Sequence, residues 1–489
     1  MKKVLIIASA IGCIVSASYA QVGTSIGFFE NLPQRVYANP ALAPNANWNI
    51  GVPALSGTYL EHGNNWFNPD EILSIDQNGS ATLNAESILN EIDETANIGQ
   101  SLYNEIIHVG FYLGKSRKNY IHFRAAERTS FMLSIPRDLL KLGVYGNART
   151  ELFENSTADF SDLNLSLNHY REYAIGFGRE INEWLRAGIT AKYLYGMENI
   201  ETEIDNFSLR TNPQTYDLST NGRMDLRTSG LYGLIEDDAV SNFEDIPNYI
   251  YGLNNNGFGL DLGVTGVFFQ DLEIQVSALD IGWIKWRSDV ASYSVDDASY
   301  LYTGVDLTGI LFDEENFDEN LEAELDSIAD DLEELFLPDR ETDSYTTTLE
   351  GRMRYAAAYD FENLIGLKGS VWASFSHSLK NGLSRNVLGL GYTHRFGNWS
   401  EVTLNLNGRN MESFSMGAGF AANAGPIQLY VLLNNLFSTQ YTQIVIEDDN
   451  GGSSNIFYPS DPRNIRANFG LNVLLGRKKK AMESTPMID

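Results

Sequence analysis

Apolar and polar residues alternate with a period of two over most of the chain. From Asn464 to Gly476, Ile465, Ala467, Phe469, Leu471, Val473 and Leu475 share one face. Arg466, Asn468, Gly470 and Asn472 share the other. From Glu350 to Tyr359, Gly351, Met353, Tyr355, Ala357 and Tyr359 oppose Glu350, Arg352, Arg354 and Ala356. Gly257 to Phe268 sets Phe258, Leu260, Leu262 and Val264 against Asp261, Gly263 and Thr265. This is the period of a pleated strand. The runs last about ten to thirteen residues, against about five or six in an ordinary strand. A tilted strand of about 9–11 residues is what crosses a bilayer.

The connections alternate too. Short ones fall at Lys115–Lys118, Arg179–Glu183, Phe269–Asp271, Asp360–Asn363, Gly397–Trp399 and Asn423–Gly425. Longer ones lie between them, at Arg137–Asn168, Gly196–Asn256, Trp286–Ser344, Leu379–Arg385 and Leu436–Pro462. Short turns at one end and long loops at the other mark an outer-membrane barrel. Strands are expected at 105–114, 119–134, 169–178, 184–195, 257–268, 272–285, 345–359, 364–377, 386–396, 400–409, 413–422, 426–435 and 463–476. A first strand near Asn49–Tyr59 makes about fourteen. The even count puts both termini at the short-turn, periplasmic end. The expected fold is all-β: a transmembrane antiparallel β-barrel at 48–476, with an N-terminal plug-like segment at 21–47 and a polar tail at 477–489.

Two stretches keep a helical period instead. Phe317, Leu321, Leu325, Ile328, Leu332 and Leu335 recur at three- and four-residue spacings and predict a helix over Glu314–Phe336. Leu83, Ile88, Leu89 and Ile92 predict another over Ala81–Thr95. The first sits in the most acidic part of the chain. Arg287–Tyr345 holds 19 Asp+Glu against 2 Lys+Arg, more than half of a net charge of −30. Long acidic loops containing a helix therefore belong to the expected architecture. The acidic balance also excludes a nucleic-acid partner, which requires a basic face.

Met1–Ala20 reads as a secretory signal. Lys2 and Lys3 precede an apolar run, and Ser18-Tyr19-Ala20 is a small-x-small cleavage site. Cleavage before Gln21 would remove Cys13, the one cysteine of the chain. Ala10-Ile11-Gly12-Cys13 is the competing reading, a loose lipoprotein box. Export by the signal implies the outer membrane, with its lipid as first partner.

Candidate chemistry is sparse. The six histidines, His62, His108, His122, His169, His377 and His394, make no metal-ligand pair at i,i+2 or i,i+4. No Gly-x-Ser-x-Gly elbow occurs. Asp448-Asp449-Asn450-Gly451-Gly452 and Asp76-Gln77-Asn78-Gly79-Ser80 lack the later Glu of a calcium loop. No enzyme, cofactor or metal site is expected. The inward faces say more. Alternation places His122, Arg124, Arg128, Asp261, Glu350, Arg352, Arg354, Lys368, Arg395, Arg409 and Arg466 inside the barrel. A cation facing lipid at mid-depth would cost roughly 2–4 kcal/mol, so the inward placement is favoured. Two uses stand open. Arg124, Arg128, Arg352, Arg354 and Arg466 can pair with carboxylates such as Glu350 or Asp261 and stiffen the lumen. They can instead attract an anionic solute or a carboxylate head group.

Near the mature N-terminus stands Tyr37-Ala38-Asn39-Pro40-Ala41-Leu42-Ala43-Pro44, followed by Gly51-Val52-Pro53 and Asp76-Gln77-Asn78-Gly79. An Asn39-Pro40-Ala41 segment before the first strand resembles FadL-type fatty-acid transporter barrels and PorV-like barrels of type IX-secreting bacteria. The whole layout resembles most an uncharacterised group of Bacteroidota-type outer-membrane barrels. The resemblance implies a fourteen-stranded barrel with its N-terminal segment in or under the lumen. No residue-by-residue match to a FadL ligand pocket is found. The barrel with its basic inner face leads instead to the expectation of a transporter or channel for small amphipathic or anionic molecules, with lumen arginines as polar contacts. The alternative that the PorV-like resemblance implies is a non-transporting carrier or scaffold whose loops dock exported proteins, with secretion-machinery or surface proteins as partners.

Overall fold

The computed structural model describes residues 25–66, 73–75, 81–83, 85–92, 94–231, 254–296, 298–302, 340–380, 383–409, 413–434, 441–447, 453–459 and 464–476. Fourteen strands form the wall. They are β1 (Trp48–Gly51 and Thr58–Asn64), β2 (Thr95–Leu113), β3 (Asn119–Pro136), β4 (Asn164–Glu180) and β5 (Leu185–Thr211). β6 (Asn256–Phe268), β7 (Leu272–Trp286), β8 (Tyr345–Thr348 and Arg352–Asp360), β9 (Gly369–Lys380) and β10 (Leu383–Phe396) follow. β11 (Ser400–Arg409), β12 (Ser413–Ala424), β13 (Ile427–Asn434) and β14 (Asn464–Leu475) complete the series. Each strand pairs antiparallel with the next. β14 then pairs with β1, Trp48 opposite Leu475 and Thr58 opposite Phe469, and the sheet closes. Closure leaves no sheet edge, the condition for placing strands in hydrocarbon.

Alternation sorts the two faces as a membrane barrel requires. Ile175 and Leu404 are 60% and 61% exposed on the outer face. Their inward neighbours Ala174, Thr403 and Asn405 are buried. Aromatic pairs ring the short-turn end: Trp48 stacks on Phe111 at 4.6 Å, and Trp184 meets Phe268 at 5.6 Å. Such a girdle marks where a barrel wall meets the lipid head groups.

Strand order and number match the alternation, and the differences have local causes. β2 begins at Thr95, so the expected helix over Ala81–Thr95 shrinks to Ala85–Glu91 and is preceded by a short strand, Ala81–Leu83. β9 begins at Gly369, not 364, because Glu362–Ile365 forms one helical turn ended by Gly366 in the left-handed region. Lys368 is consequently exposed in that turn and does not face the lumen. The connection over Leu379–Arg385 is not a long loop. β9 and β10 stay paired out to Lys380 and Leu383. The expected helix over Glu314–Phe336, both candidate calcium loops, the signal segment and the tail lie outside the described residues. So does the side chain of Arg409.

β5 runs for 27 residues, well beyond the roughly 9–11 needed to cross a bilayer. Its far half pairs with a further strand, Leu218–Ser229, which in turn pairs with Val290–Val295 and Tyr300–Tyr302. A sheet therefore rises from the long-loop end. One side of it carries Phe153, Ala158 and Phe160, packed against Leu139, Leu142, Phe207 and Leu209.

Candidate functional site in the barrel lumen

Residues 25–47 lie inside the short-turn half of the barrel. Two 3-10 turns, Ile26–Phe28 and Pro33–Tyr37, fold the segment. Pro33 fixes the φ of the second turn's first residue, where its missing N–H costs nothing. Ile26, Phe29 and Leu32 are fully buried and share a cluster with Ala421, Tyr430 and Leu432 of β12 and β13. Phe28 stacks on Trp372 of β9 at 4.3 Å. Burial of each such side chain is worth about 1.5–3 kcal/mol.

Polar contacts set the position. The Glu401 carboxylate accepts from the backbone N–H groups of Glu30 (3.0 Å) and Asn31 (3.2 Å). Gln34 donates to Ser56 O at 2.9 Å and accepts from Asn472 Nδ2 at 3.0 Å. Each neutral bond adds only about 1 kcal/mol, so packing holds the segment and hydrogen bonds fix its place.

The Asn39-Pro40-Ala41 motif has its own seat. Asn39 Nδ2 donates to the carbonyls of Val264 (3.0 Å) and Val276 (3.2 Å), a cross-strand pair on β6 and β7. Its Oδ1 accepts from Ala41 N at 2.9 Å. Ser277 Oγ donates to Ala38 O at 2.8 Å. The motif lies against the wall where Gly188 of β5 and Gly263 of β6 present no side chain. A Cβ at Gly263 would collide with Asn39 Oδ1, and one at Gly188 with the Pro40 carbonyl.

A layer of charge crosses the lumen above this segment. Arg124 of β3 pairs with Glu172 of β4 at 2.6 Å and with Asp261 of β6 at 3.6 Å. Arg128 reaches Glu172 (3.0 Å) and Asp280 of β7 (3.3 Å). Lys192 of β5 contacts Asp261 at 2.6 Å and Asp280 at 2.5 Å. Arg352 of β8 contacts Asp280 at 3.3 Å. All seven side chains are buried or nearly so, with four cations facing three carboxylates. The segment touches this layer through Tyr37, whose ring lies 4.6 Å beneath the Arg124 guanidinium and whose hydroxyl meets His108 Nδ1 at 3.2 Å.

Asp280 owes its central place to a β-bulge. Leu260 faces Ile281 but Leu262 faces Ala278, so Leu279 and Asp280 together oppose Asp261. Asp280 sits at φ 56° and its N–H donates to Asp261 Oδ1 at 2.7 Å. Aspartate tolerates the left-handed region better than most residues. The contacts of its carboxylate with three cations offset the remaining strain.

Residues 40–434 match the family of unknown function DUF5723. The chain belongs to that family. No curated protein matches it. Among solved structures, this family member is similar to a ΔS2S3 mutant of the TodX monoaromatic hydrocarbon channel. Identity is 8%, the TM-score 0.44, and coverage 94% of this chain and 96% of that one. A Pseudomonas aeruginosa FadL homologue gives 9% identity, a TM-score of 0.44 and coverage of 95% and 100%. The Ralstonia pickettii toluene transporter TbuX gives 8% identity, a TM-score of 0.39 and coverage of 94% and 96%. The barrel assignment rests on the strand registers, not on these likenesses.

The inward residues expected from alternation separate into groups in this DUF5723 barrel. Arg124, Arg128, Asp261 and Arg352 meet in the charged layer, with His122 buried beside Arg124. Arg466 stands apart on β14 and pairs with Glu61 of β1 at 2.9 Å. Arg354 donates to Gln275 Oε1 at 2.8 Å and lies 5.3 Å over the Phe28 ring. Arg395 reaches Glu30 and Asp360 near the short-turn end.

Glu350 does not partner Arg352 or Arg354. It falls in the break between the two parts of β8 and accepts from Ser378 Oγ at 2.7 Å. Leu349 and Arg352 are both inward, so the alternation changes phase at Glu350–Gly351. Glu172 and Lys192 were missed although alternation places both inward. Asp280 was hidden by its bulge.

Proposed function

We propose that this protein is an outer-membrane barrel of the transporter type, held closed in the arrangement described here. Small amphipathic or anionic molecules cross it when residues 25–47 leave the lumen. One observation carries the reading: the filling segment is not part of the wall. Among the described residues, 25–46 pair with no barrel strand and are held by side-chain packing and isolated hydrogen bonds. Such contacts can be exchanged without opening the sheet. On this reading Arg124, Arg128 and Arg352 are the polar layer a permeant anion passes, and Arg354 and Arg466 flank it. Their pairing with carboxylates keeps the layer neutral enough to remain buried while closed.

The test is uptake of a permanently charged aromatic sulfonate into proteoliposomes. Slow uptake is expected with the intact protein and faster uptake with Asn39→Ala, which frees the motif from β6 and β7. Uptake no greater than in protein-free vesicles with both proteins would overturn the reading.

A second reading, a non-transporting scaffold whose outer parts dock exported proteins, is favoured by the sheet that β5 carries beyond the membrane. It calls for silent vesicles together with an exported protein that co-purifies with the intact barrel and is lost when that sheet is shortened.

A further inference from the structure

Below the Asn39-Pro40-Ala41 seat, Arg35, residues 41–43, the short-turn ends of β4 to β7 and the exposed β4–β5 turn residues Glu183 and Trp184 line an open cavity of about 230 Å³ at the mouth. That is below the roughly 300–1,000 Å³ of sites for drug-sized ligands and fits a molecule of amino-acid size. It is separate from the charged layer.

Its polar lining is unsatisfied on one side only. Arg186 Nε and Nη2 meet no hydrogen-bond acceptor among the described residues. Arg35 spends its two Nη groups on the carbonyls of Glu30 and Gly27, and its Nε meets no acceptor. The Thr265 hydroxyl, on a residue 4% exposed, has no partner either. Thr265 and Arg186 are cross-strand partners, so their side chains leave neighbouring points of the wall. Buried donors without acceptors cost about 1–3 kcal/mol each, more when charged, so such a cluster is a place for a ligand or an ordered water.

The same cavity is lined by Glu180, Glu183 and Glu273. Three carboxylates against two guanidinium groups oppose a simple anion. Leu42 and Trp184 add an apolar surface.

We infer that this cavity is a binding site for a small zwitterion of the α-amino-acid type with an apolar side chain. Its carboxylate takes the donors of Arg35, Arg186 and Thr265. Its ammonium faces the glutamates, and its side chain lies on Leu42 and Trp184. The inference does not depend on transport, because binding can be measured on a barrel that conducts nothing.

The experiment is calorimetric titration of the full-length protein in detergent with three probes of one skeleton: leucine, 4-methylpentanoate and 3-methylbutylamine. Saturable binding of leucine is expected, with each half-ligand at least about tenfold weaker, or ~1.4 kcal/mol. Arg186→Gln should weaken leucine by about the same factor. Thr265→Val should do so too, and serves if the arginine variant loses the heat-modifiable mobility of a folded barrel. Equal affinity for 4-methylpentanoate and leucine would make this a plain anion site and overturn the inference. Absence of saturation by all three probes would mean that water alone satisfies the donors, and would overturn it as well.

Discussion

The two walls of the lumen are built from different chemistry. From β3 to β8 the inward side chains at mid-height are charged: Arg124, Arg128, Glu172, Lys192, Asp261, Asp280 and Arg352. From β9 to β13 they are neutral at the same level. Ser374, Ser376, Thr403, Asn405, Asn407 and Ser415 take their places. Charges in the neutral wall fall towards its ends, with Arg395 and Glu401 near the turns.

The charged wall is self-complementary. Its four cations and three carboxylates come from six consecutive strands and contact one another across them. The neutral wall leaves its lower part to the N-terminal segment, which packs Phe28 on Trp372 and Phe29 near Leu432. Both walls touch the segment, the charged one through the polar seat of Asn39 on β6 and β7 and the neutral one through apolar packing, but only the charged wall is also tied to itself by ion pairs. A buried ion pair is costly to break and contributes little net stability when complete. An apolar contact loses only its own area.

The largest effect should follow from removing the hub of the charged wall. Asp280→Ala leaves Lys192, Arg128 and Arg352 without the carboxylate they share. Stability should fall by about 3–5 kcal/mol, read as a lower temperature for the shift in heat-modifiable mobility. If Asp280→Ala unfolds no earlier than the parent, the charged wall is not held by its pairs and the contrast collapses.

On the other wall, Phe28→Ala should cost about 3 kcal/mol of segment docking but leave the barrel itself as heat-resistant as before. Limited proteolysis then separates the two: cleavage within residues 25–47 should quicken while the barrel band persists. A matching drop in barrel stability would show that the segment is part of the wall.

Gly263→Val probes the seat of the motif. The added side chain meets Asn39 and Pro40, an overpacking worth about 1–3 kcal/mol. The same protease assay should show a smaller acceleration than Phe28→Ala. No acceleration would mean that the motif is not anchored there.

The smallest effect belongs to Ser374→Ala. Its buried Oγ has no hydrogen-bond partner among the described residues, so stability should stay within about 0.5 kcal/mol or rise. A loss comparable to Asp280→Ala would show that the neutral wall also carries a tight polar network.

The sequence alone determined the barrel. Period-2 alternation over long runs admits one placement of lipid and lumen. A one-residue slip would turn every apolar side chain inward. Strand number and order followed, and so did the inward placement of Arg124, Arg128, Arg352, Arg354 and Arg466. Tertiary structure decided what alternation cannot carry. A bulge in β7 inserts a residue and brought Asp280 into the layer, while the break in β8 at Glu350–Gly351, across which β7 and β8 keep one register, took Glu350 out of it. β1 is likewise interrupted between Gly51 and Thr58, so Ser56 turns in to donate to Glu105 at 2.5 Å. The seat of Asn39 is assembled from carbonyls on β6 and β7, more than 220 residues away along the chain. No local pattern records it, because backbone groups and missing glycine side chains recognise the motif, and these acquire a position only once the sheet has closed.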